Sequence, residues 1–527
     1  MKKIYYLTAL IFLFISCSET ITLNEIPLTS SSDEAKKLFT STIFKPEEGY
    51  RLYRPASNEV INKILKLDPG FLLADVMQAY FFNSGSIDER RNRIINAFDK
   101  RDSVTEIERA LITQMYEDRI SGNILKAQNI LNDIVKKYPD YYYLWIYKGN
   151  FENFRLLSPN ESKISWEKAL EIDPENSLAK LLLAQLHFVT TPDFMLLGED
   201  EINLDEAVKL IKEVQKKELQ NPTSPRLLGN IYRARGDFDL SLEEYNKAMN
   251  LIEDKESWEY SQLVLVSGHN YLFKKEYDKS REFYQKSIDI NKEFPQFDVN
   301  VTSWLSNTYL YEKKYNESIK TINSLEERIK SNDEIEDIRL YGHLIRIDRE
   351  RFITYGHSQM KDEAFQSLNN INNHFDKLKA LRIELASSEN EISRIELDVE
   401  ISKGFHKIWY LILFGEYENA LNELKLYSQT SSEFLIFDPK AMISFYKLSG
   451  YLNLMSGNID ESISFYNQVP RELLEGDNYH LYFYALALKA KGNINESSSL
   501  FSYLSNYNFA GWENSIVRSL AQNQLKT

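Results

Sequence analysis

Apolar and polar residues recur along most of this chain with the period of an α-helix. One stretch shows the pattern plainly, because Tyr143, Tyr147, Phe151 and Phe154 would share one face of a helix. Such a stripe is typical of a helix that packs one side into a core. Glycine and proline are scarce, 18 and 13 of 527 residues, which leaves little material for tight turns or long loops. The pattern predicts helices throughout and an all-α fold.

Two nearly identical hexapeptides, Gly457–Ser462 and Gly492–Ser497, mark a recurring corner between helices. The glycine can adopt the left-handed conformation that ends one helix. The Asn that follows, together with a glutamate three residues later such as Glu461, predicts a capping box at the start of the next helix. The closing serine, Ser462 or Ser497, is small where two helices have to cross closely. The hexapeptide therefore predicts a helix–turn–helix corner.

Degenerate copies of this corner recur along the chain. They begin at positions 122, 157, 202, 236, 275, 313, 359 and 415, ahead of the two copies at 457 and 492. Their spacing is about 34 residues or more, as in an array of helical repeats with insertions. The array predicts about 11 or 12 stacked helix pairs over residues 31–527.

Small and aromatic residues flank the corners in a fixed order. Gly229 and Tyr232 come before the corner at Gly236, and Tyr245 follows it. This resembles the tetratricopeptide repeat, in which small residues and tyrosines recur at these positions. The resemblance implies a right-handed solenoid of antiparallel helix pairs with a concave groove for peptides or partner proteins. The repeat-defining residues are Gly122, Gly229, Tyr232, Gly236, Tyr245, Gly268, Tyr284, Gly415, Ala420, Gly450, Gly457, Ser462, Gly492 and Ser497.

The first residues have a different character. Lys2 and Lys3 precede the apolar run Ile4–Ile15, which is too short to span a bilayer and ends near Cys17, the only cysteine. This resembles the lipobox of bacterial lipoproteins and implies acylation of Cys17 and anchoring to the lipid bilayer of the cell envelope. Ser18 is similar to the outer-membrane sorting pattern, with the periplasmic and surface faces both open. The alternative is an ordinary cleaved signal peptide.

Composition and pattern together predict five regions. These are a signal peptide at 1–16, a flexible tether at 17–30, a repeat array at 31–324, an irregular charged segment of long helices at 325–405, and a second repeat array at 406–527. The charged segment is interpreted as a bend in the solenoid with solvated helix faces, or as a partner site.

The sequence carries no pattern that indicates catalysis. Phosphate loops, dinucleotide-binding glycine clusters and metalloprotease motifs are absent from it, and its seven histidines are widely spread. We therefore expect neither enzyme activity nor a cofactor nor a bound metal. The formal net charge of −15 argues against nucleic acid as a partner, because phosphate binding needs a basic face.

Aromatic side chains are the candidates for binding. Tyr141, Tyr142 and Trp145 lie off the predicted core stripe and could contact a partner, or could pack against the neighbouring repeat. The leading hypothesis is a non-enzymatic, membrane-anchored scaffold that binds a protein or peptide. The alternative is a glycan-binding lipoprotein of the starch-utilisation type. The scarcity of the Gly-, Pro- and Trp-rich loops that form the sugar site in that family counts against it.

Overall fold

The computed structural model describes residues 25–44, 55–81, 85–190, 194–291 and 295–526. Helices form most of this part of the chain, and it contains no β-strand. The predicted all-α fold is therefore confirmed. The predicted signal peptide, the acylation site and the first part of the tether lie outside the described residues.

The described residues contain 26 α-helices, numbered here in chain order. They are α1 Asp33–Phe39, α2 Pro55–Leu67, α3 Leu72–Phe81, α4 Ile87–Asp99, α5 Glu106–Tyr116, α6 Ile124–Lys137, α7 Tyr142–Phe154, α8 Pro159–Ile172, α9 Ser177–Gln185, α10 Leu204–Lys217, α11 Thr223–Arg235, α12 Phe238–Asn250, α13 Trp258–Phe273, α14 Tyr277–Ile290, α15 Pro295–Tyr311, α16 Tyr315–Lys330, α17 Asp337–His357, α18 Lys361–Glu384, α19 Glu389–Leu413, α20 Tyr417–Phe434, α21 Ile443–Met455, α22 Ile459–Tyr466, α23 Arg471–Glu475, α24 Asn478–Lys491, α25 Ile494–Asn506 and α26 Trp512–Gln524.

Consecutive helices pack in pairs, and each pair packs on the next. The pairs run from α1 with α2 to α21 with α22 in odd–even order, and α24 with α25 completes the series. Over the described residues this gives 12 pairs, in agreement with the 11 or 12 predicted. The short α23 connects the last two pairs, and α26 packs against α15, α24 and α25.

The corners between helices depend on backbone conformation more than on glycine. Nine of the ten predicted corners begin with a residue of positive φ: glycine in five of them, and Leu157, Lys275, Lys313 or Gln359 in the others. At seven of these nine corners the amide after that residue donates to the carbonyl five positions earlier, as from Asn458 to Asn453 at 2.8 Å; at the corners of 122 and 157 the acceptor is six positions earlier. This is the Schellman arrangement that ends many helices. A non-glycine residue in this conformation costs about 1–2 kcal/mol, so packing must hold the four non-glycine corners.

The predicted capping boxes are wrong at the two C-terminal corners. Neither Asn458 nor Asn493 makes a side-chain cap, so Glu461 and Glu496 close no box. The backbone ψ angles of these two asparagines, 73° and 65°, fall short of the extended values of a typical N-cap. At the corner that begins at position 122, Asn123 has ψ of 80° and its side chain does reach an amide of the first turn.

The small residues of the repeat lie where an aromatic ring crosses the neighbouring helix. A Cβ atom added to Gly229 would lie 2.4 Å from Cε1 of Tyr245, which is fully buried. Gly268 meets Tyr284, and Gly450 meets Tyr466, in the same way at 2.7 Å. The missing side chain therefore makes room for a tyrosine ring between the two helices of a pair.

A substitution at Ser462 shows how closely α21 and α22 cross at one such corner. Its side chain is fully buried, and its hydroxyl donates to the Gly450 carbonyl at 2.7 Å. We expect Ser462→Trp to lower the free energy of unfolding of the last repeats by roughly 1–3 kcal/mol through overpacking. Urea denaturation followed by circular dichroism measures the effect. The matched control is Ser464→Trp, because Ser464 is exposed on the same helix; equal stability of the two variants would contradict a close crossing.

The stack of pairs winds back onto itself. Hydrogen bonds join residues 249 to 300 positions apart, as between the Ile87 amide and Glu336 and between Arg91 and Glu391. Arg233 and Asn508, 275 positions apart, bond in the same way. One turn of the superhelix therefore takes roughly 250–300 residues, and the later turn lies on the earlier one. The solenoid is therefore a tightly wound coil whose successive turns are in contact.

The long helices of the charged segment contribute to this winding, and the end of the tether is hydrogen-bonded to the first repeats. Helices α17 and α18 and most of α19, of 21, 24 and 25 residues, lie in the charged segment predicted at 325–405, and hydrogen bonds from Arg91 of α4 in the first turn reach this segment. Within the predicted tether, the Thr29 amide donates to Glu108 at 2.9 Å, and the Ser30 hydroxyl donates to Asp68. The last residues before α1 are thus attached to the first repeats.

Candidate binding site in the axial channel

The first helices of successive pairs face the axis of the superhelix and enclose two cavities. Cavity 1, of about 490 Å³, is lined by α3, α7, α9, α11, α13 and α15. Cavity 2, of about 600 Å³, is lined by α15, α17 and α19 and by residues within the segments 194–202, 472–478 and 503–514. Trp304 and Phe509 line both cavities and separate them. We call the two cavities together the axial channel.

Cavity 1 is mainly apolar and aromatic. Three of the four residues of the predicted core stripe, Tyr147, Phe151 and Phe154, line it, so this face of α7 borders a space as well as a core. Arg119 and Arg155 supply positive charge at one side of the cavity. A space of this size with aromatic walls and few polar groups suits an apolar or aromatic group.

A segment of the chain itself lies between the two cavities. Residues 507–512, which join α25 to α26 and are called the plug here, reach the axis of the first turn. The backbone carbonyl of Asn508 accepts from Arg233 Nε at 3.1 Å, and its side-chain amide donates back to the Arg233 carbonyl at 3.1 Å. Arg518 and Asn514 donate to the Tyr507 carbonyl at 2.6 and 2.7 Å. The plug is thus held largely through its backbone.

Aromatic side chains anchor both ends of the plug. The Phe509 ring lies 5.9 Å from His269, on α13. The Trp512 ring lies 5.3 Å from Trp409 and 5.2 Å from Tyr479, which belong to the second turn. The plug therefore connects the two turns across the channel, with one aromatic anchor in each.

Cavity 2 differs from cavity 1 in its polarity. Five polar atoms around it are buried and have no hydrogen-bond partner among the described residues; they are Asn307 Oδ1, Arg349 Nε, His406 Nε2, Asn478 Oδ1 and Asn514 Oδ1. His406 Nδ1 lies 2.7 Å from the Ser402 carbonyl and donates to it, which leaves Nε2 as an acceptor. Burial of polar atoms without partners is unfavourable, so this cavity is suited to a polar occupant.

Burial also shifts the pKa values of groups in and near cavity 2. It raises the pKa of Glu513 to about 7 and raises the pKa of Glu350, which Arg346 and Arg349 partly offset. It lowers the pKa of His406 to about 4, aided by the positive charge of Arg349. At neutral pH His406 is therefore uncharged, and Glu513 is poised between its two protonation states.

Buried histidines make the fold sensitive to acid. Burial lowers the pKa of His357, His406 and His480 to about 4. Between pH 4 and 6.5 the unfolded chain binds more protons at these groups, so their stabilising contribution is complete above pH 6.5 and is lost as the pH falls toward 4. Each should destabilise the fold by on the order of 1–2 kcal/mol at pH 5. The raised pKa values of Glu513 and Glu350 act in the opposite direction, but they are two groups against these three histidines.

We therefore expect a lower urea midpoint at pH 5 than at pH 7. The variant His357→Gln should show a smaller difference between the two pH values than the parent chain. A midpoint that is unchanged between pH 7 and pH 5 would contradict burial of these histidines in neutral form.

The sequence-predicted aromatics lie beside the channel and do not line it. Tyr142 is buried in the core, and Tyr141 and Trp145 are half-buried against it. The indole N–H of Trp145 donates to the Pro139 carbonyl at 2.9 Å. A partner contact at these three residues stays a prediction. The sequence did not indicate that Trp304 and Phe509 line the channel, because only the winding of the superhelix brings them to the same place.

Two findings bear on the chemistry of the site. Among the described residues no three His, Cys, Asp or Glu side chains are grouped so that they could hold a metal ion. In the same part of the chain, no helix has both the length and the apolar character needed to cross a membrane.

The stacked helix pairs and the channel that they enclose define a helical-repeat protein of the solenoid class. Residues 227–255 and 262–294, which cover most of α11–α12 and α13–α14, match the family model of the tetratricopeptide repeat. These two units are therefore similar to tetratricopeptide repeats. The match covers well under half of the chain, and the other pairs are assigned to the fold alone.

Several solved structures are similar to the chain at low sequence identity. The structure described as a functional characterisation of pilF from Pseudomonas aeruginosa is 16% identical, with 49% of this chain and 97% of that one covered and a TM-score of 0.27. The C-terminal part of a TPR repeat-containing protein from Cytophaga hutchinsonii is 12% identical, covering 51% and 94%, with a TM-score of 0.28. The human IFIT1 dimer with PPP-AAAA is 14% identical, covering 84% and 95%, with a TM-score of 0.35.

No curated protein sequence matches the chain significantly.

Proposed function

We propose that this chain is a non-enzymatic scaffold, anchored to the bacterial envelope, that binds an extended segment of a partner protein in the axial channel. Repeat solenoids present concave surfaces of this kind to peptides. The observation that carries the proposal is the plug. An extended segment of this same chain already lies in the channel, with backbone carbonyls bound by Arg233 and Arg518 and an aromatic ring at each end.

Cavity 1 is the part of the channel that would receive the partner. Beyond Phe509 its walls include Phe154, Trp258 and Leu182, which offer an apolar surface for an aromatic or aliphatic side chain. Arg226 and Glu259 provide polar groups at the same cavity. The partner segment should therefore resemble the plug: extended, with an aromatic residue that enters cavity 1.

Fluorescence anisotropy with labelled seven-residue peptides that carry one central Phe, Tyr or Trp tests this proposal. Phe154→Ala removes a wall of cavity 1 and should weaken binding by at least about tenfold, as for a central anchor residue. Phe365→Ala is the matched control, because Phe365 is 49% exposed and lies outside both cavities. If no aromatic peptide binds, or if both variants bind as tightly as the parent, the proposed site is wrong.

Anchoring through Cys17 is tested separately. Replacing Cys17 with alanine removes the sulfur that an acyl chain would modify, so we expect the chain to leave the membrane fraction. The measurement is immunoblotting of the soluble and membrane fractions of cells that express the parent or the variant. Cys17→Ala protein that stays in the membrane fraction would disprove a lipid anchor at this residue, and protease treatment of intact cells separates the surface from the periplasmic face.

A second candidate function is glycan binding, and cavity 2 favours it. Its unpartnered amide and imidazole acceptors and the Arg349 Nε donor could bind hydroxyl groups, beside the rings of Trp304 and Trp512. Calorimetric titration with mono- and disaccharides tests this candidate. Heat of binding that Asn514→Leu abolishes, with no binding of the aromatic peptides, would favour the glycan function over the scaffold.

A further inference from the structure

A third cavity lies between the two superhelical turns and is rich in arginine. This inter-turn cleft, of about 360 Å³, is bounded by α3, α4 and residues 117–121 of the first turn and by α17, α18 and α19 of the second. Its charged lining residues are Arg90, Arg91, Arg119, Arg155, Arg382, Arg394, Asp118 and Glu391. Six positive charges thus face two negative ones in a chain whose formal net charge is −15.

Acidic residues near the cleft reduce this excess but do not remove it. Arg155 donates to Asp118 at 2.7 Å, and Arg91 forms a bidentate pair with Glu391 at 2.7 and 3.0 Å. Just outside the lining, Arg382 pairs with Asp398 at 2.8 Å. Arg339 also stands close by and pairs with Glu336 at 2.9 Å. When these neighbours are included, seven arginines face four acids, and an excess of three positive charges remains.

Two arginines of the cleft, Arg394 and Arg119, lack a short hydrogen bond to an acidic side chain within the part of the chain that the structure describes. Arg394 comes only within 3.9 Å of Glu391, and its Nε is buried without a hydrogen-bond partner among the described residues. Arg119 lies 3.4 Å from Asp118, whose other contacts are the shorter bonds from Arg155 and Tyr80. Burial and the charge of Arg382 lower the pKa of Arg394, which means that its positive charge is unfavourable there. An anion in the cleft would relieve this repulsion.

The arginine side chains of the cleft determine which kind of anion it can bind. Every basic residue that lines the cleft is arginine, whose planar guanidinium group binds phosphate and carboxylate oxygens through paired N–H bonds. An excess of three charges matches a group that carries several negative charges, and a phosphate carries about −1.5 to −2 with three strong acceptor oxygens. We infer that the inter-turn cleft binds a small, multiply charged phosphate compound and thereby bridges the two turns of the superhelix.

The cleft shares Tyr80, Arg119 and Arg155 with cavity 1, but Arg91, Arg382 and Arg394 do not line that cavity, so the inference does not rest on the proposed function. The phosphate could belong to a soluble compound or to the headgroup of a lipid. The chemistry is the same in both cases, and two probes distinguish the sources: inorganic diphosphate, and non-ionic detergent micelles doped with phosphatidic acid.

The test uses the full chain purified in non-ionic detergent at physiological salt. Calorimetric titration with diphosphate should give saturable binding, and diphosphate should raise the melting temperature because it binds the folded state. Arg394→Gln should weaken binding by at least about tenfold, since it removes a charge-assisted donor. Arg394→Lys, which keeps the charge but not the guanidinium fork, should fall between Arg394→Gln and the parent.

Arg235→Gln is the matched control, because Arg235 is an exposed arginine paired with Asp205 outside the cleft. It should bind diphosphate as tightly as the parent. Binding of doped micelles that depends on Arg394, without binding of diphosphate, would support the inference with a lipid headgroup as the source. Absence of binding to either probe, or equal losses in Arg394→Gln and Arg235→Gln, would overturn it. Binding of citrate as tight as that of diphosphate would overturn the assignment to phosphate.

Discussion

Tyr466→Ala is expected to lower the free energy of unfolding of the C-terminal repeats by about 3–5 kcal/mol, as for other fully buried aromatic residues. The Tyr466 ring is completely buried and lies on the face of Gly450 where α22 crosses α21. Removal of the ring leaves a cavity that the two helices can close only in part, because Ser462 already holds them in contact through the Gly450 carbonyl.

The control for this prediction is Tyr466→Phe, which keeps the ring. The Tyr466 hydroxyl lies 3.5 Å from His480 Nδ1, a weak contact, so this variant should lose less than about 1.5 kcal/mol. Urea denaturation measures the loss, and amide hydrogen exchange shows whether it is confined to α21–α26. A Tyr466→Ala variant as stable as Tyr466→Phe would mean that the ring does not fill the helix crossing.

Arg91→Ala should have an effect of similar size through a different cause. Glu391 exposes 2% of its side chain, and Arg91 supplies both guanidinium bonds to it from the other turn of the superhelix. The variant removes both guanidinium bonds to a buried carboxylate and leaves it only the more distant Arg394, at 3.9 Å; loss of one partner of a buried ion pair typically costs about 3–5 kcal/mol. We expect a lower urea midpoint, and faster hydrogen exchange in α4 and at the start of α19, where the two turns meet.

The double variant Arg91→Met/Glu391→Leu separates loss of the ion pair from loss of packing. Apolar replacement of both partners removes the unpaired charge, so most of the stability should return. If the double variant is as unstable as Arg91→Ala, the contact between the turns depends on the hydrogen bonds themselves. If Arg91→Ala is as stable as the parent chain, the turns are not joined through this pair.

The helices and their corners could be predicted from the sequence because both depend on residues close together in the chain. The corner at 457 is specified by Gly457, and the crossing above it by Gly450 and Tyr466. The prediction failed where side chains were assigned to caps, as at Glu461, because the order of residues does not fix the backbone and side-chain angles that a cap requires.

The channel and the inter-turn cleft could not be predicted in the same way. Trp304 and Phe509 line the same cavities only because a small rotation at each helix pair accumulates over a whole turn. The same holds for Arg91 and Glu391, which are 300 positions apart. The periodic stripe through Tyr147 and Phe151 identified the inward face of α7, but periodicity does not show whether that face meets a neighbouring helix or an open space.

The contact between turns has a consequence for how such a chain can evolve. An open repeat array can gain or lose a whole unit, because each unit touches only its two neighbours. In this chain, loss of one unit between Arg91 and Glu391 would move every later partner by one position around the axis and separate all the pairs that join the turns. The number of repeats between the two turns is therefore constrained by the contacts that join them. Changes in length that the fold tolerates should be confined to loops on the outer rim.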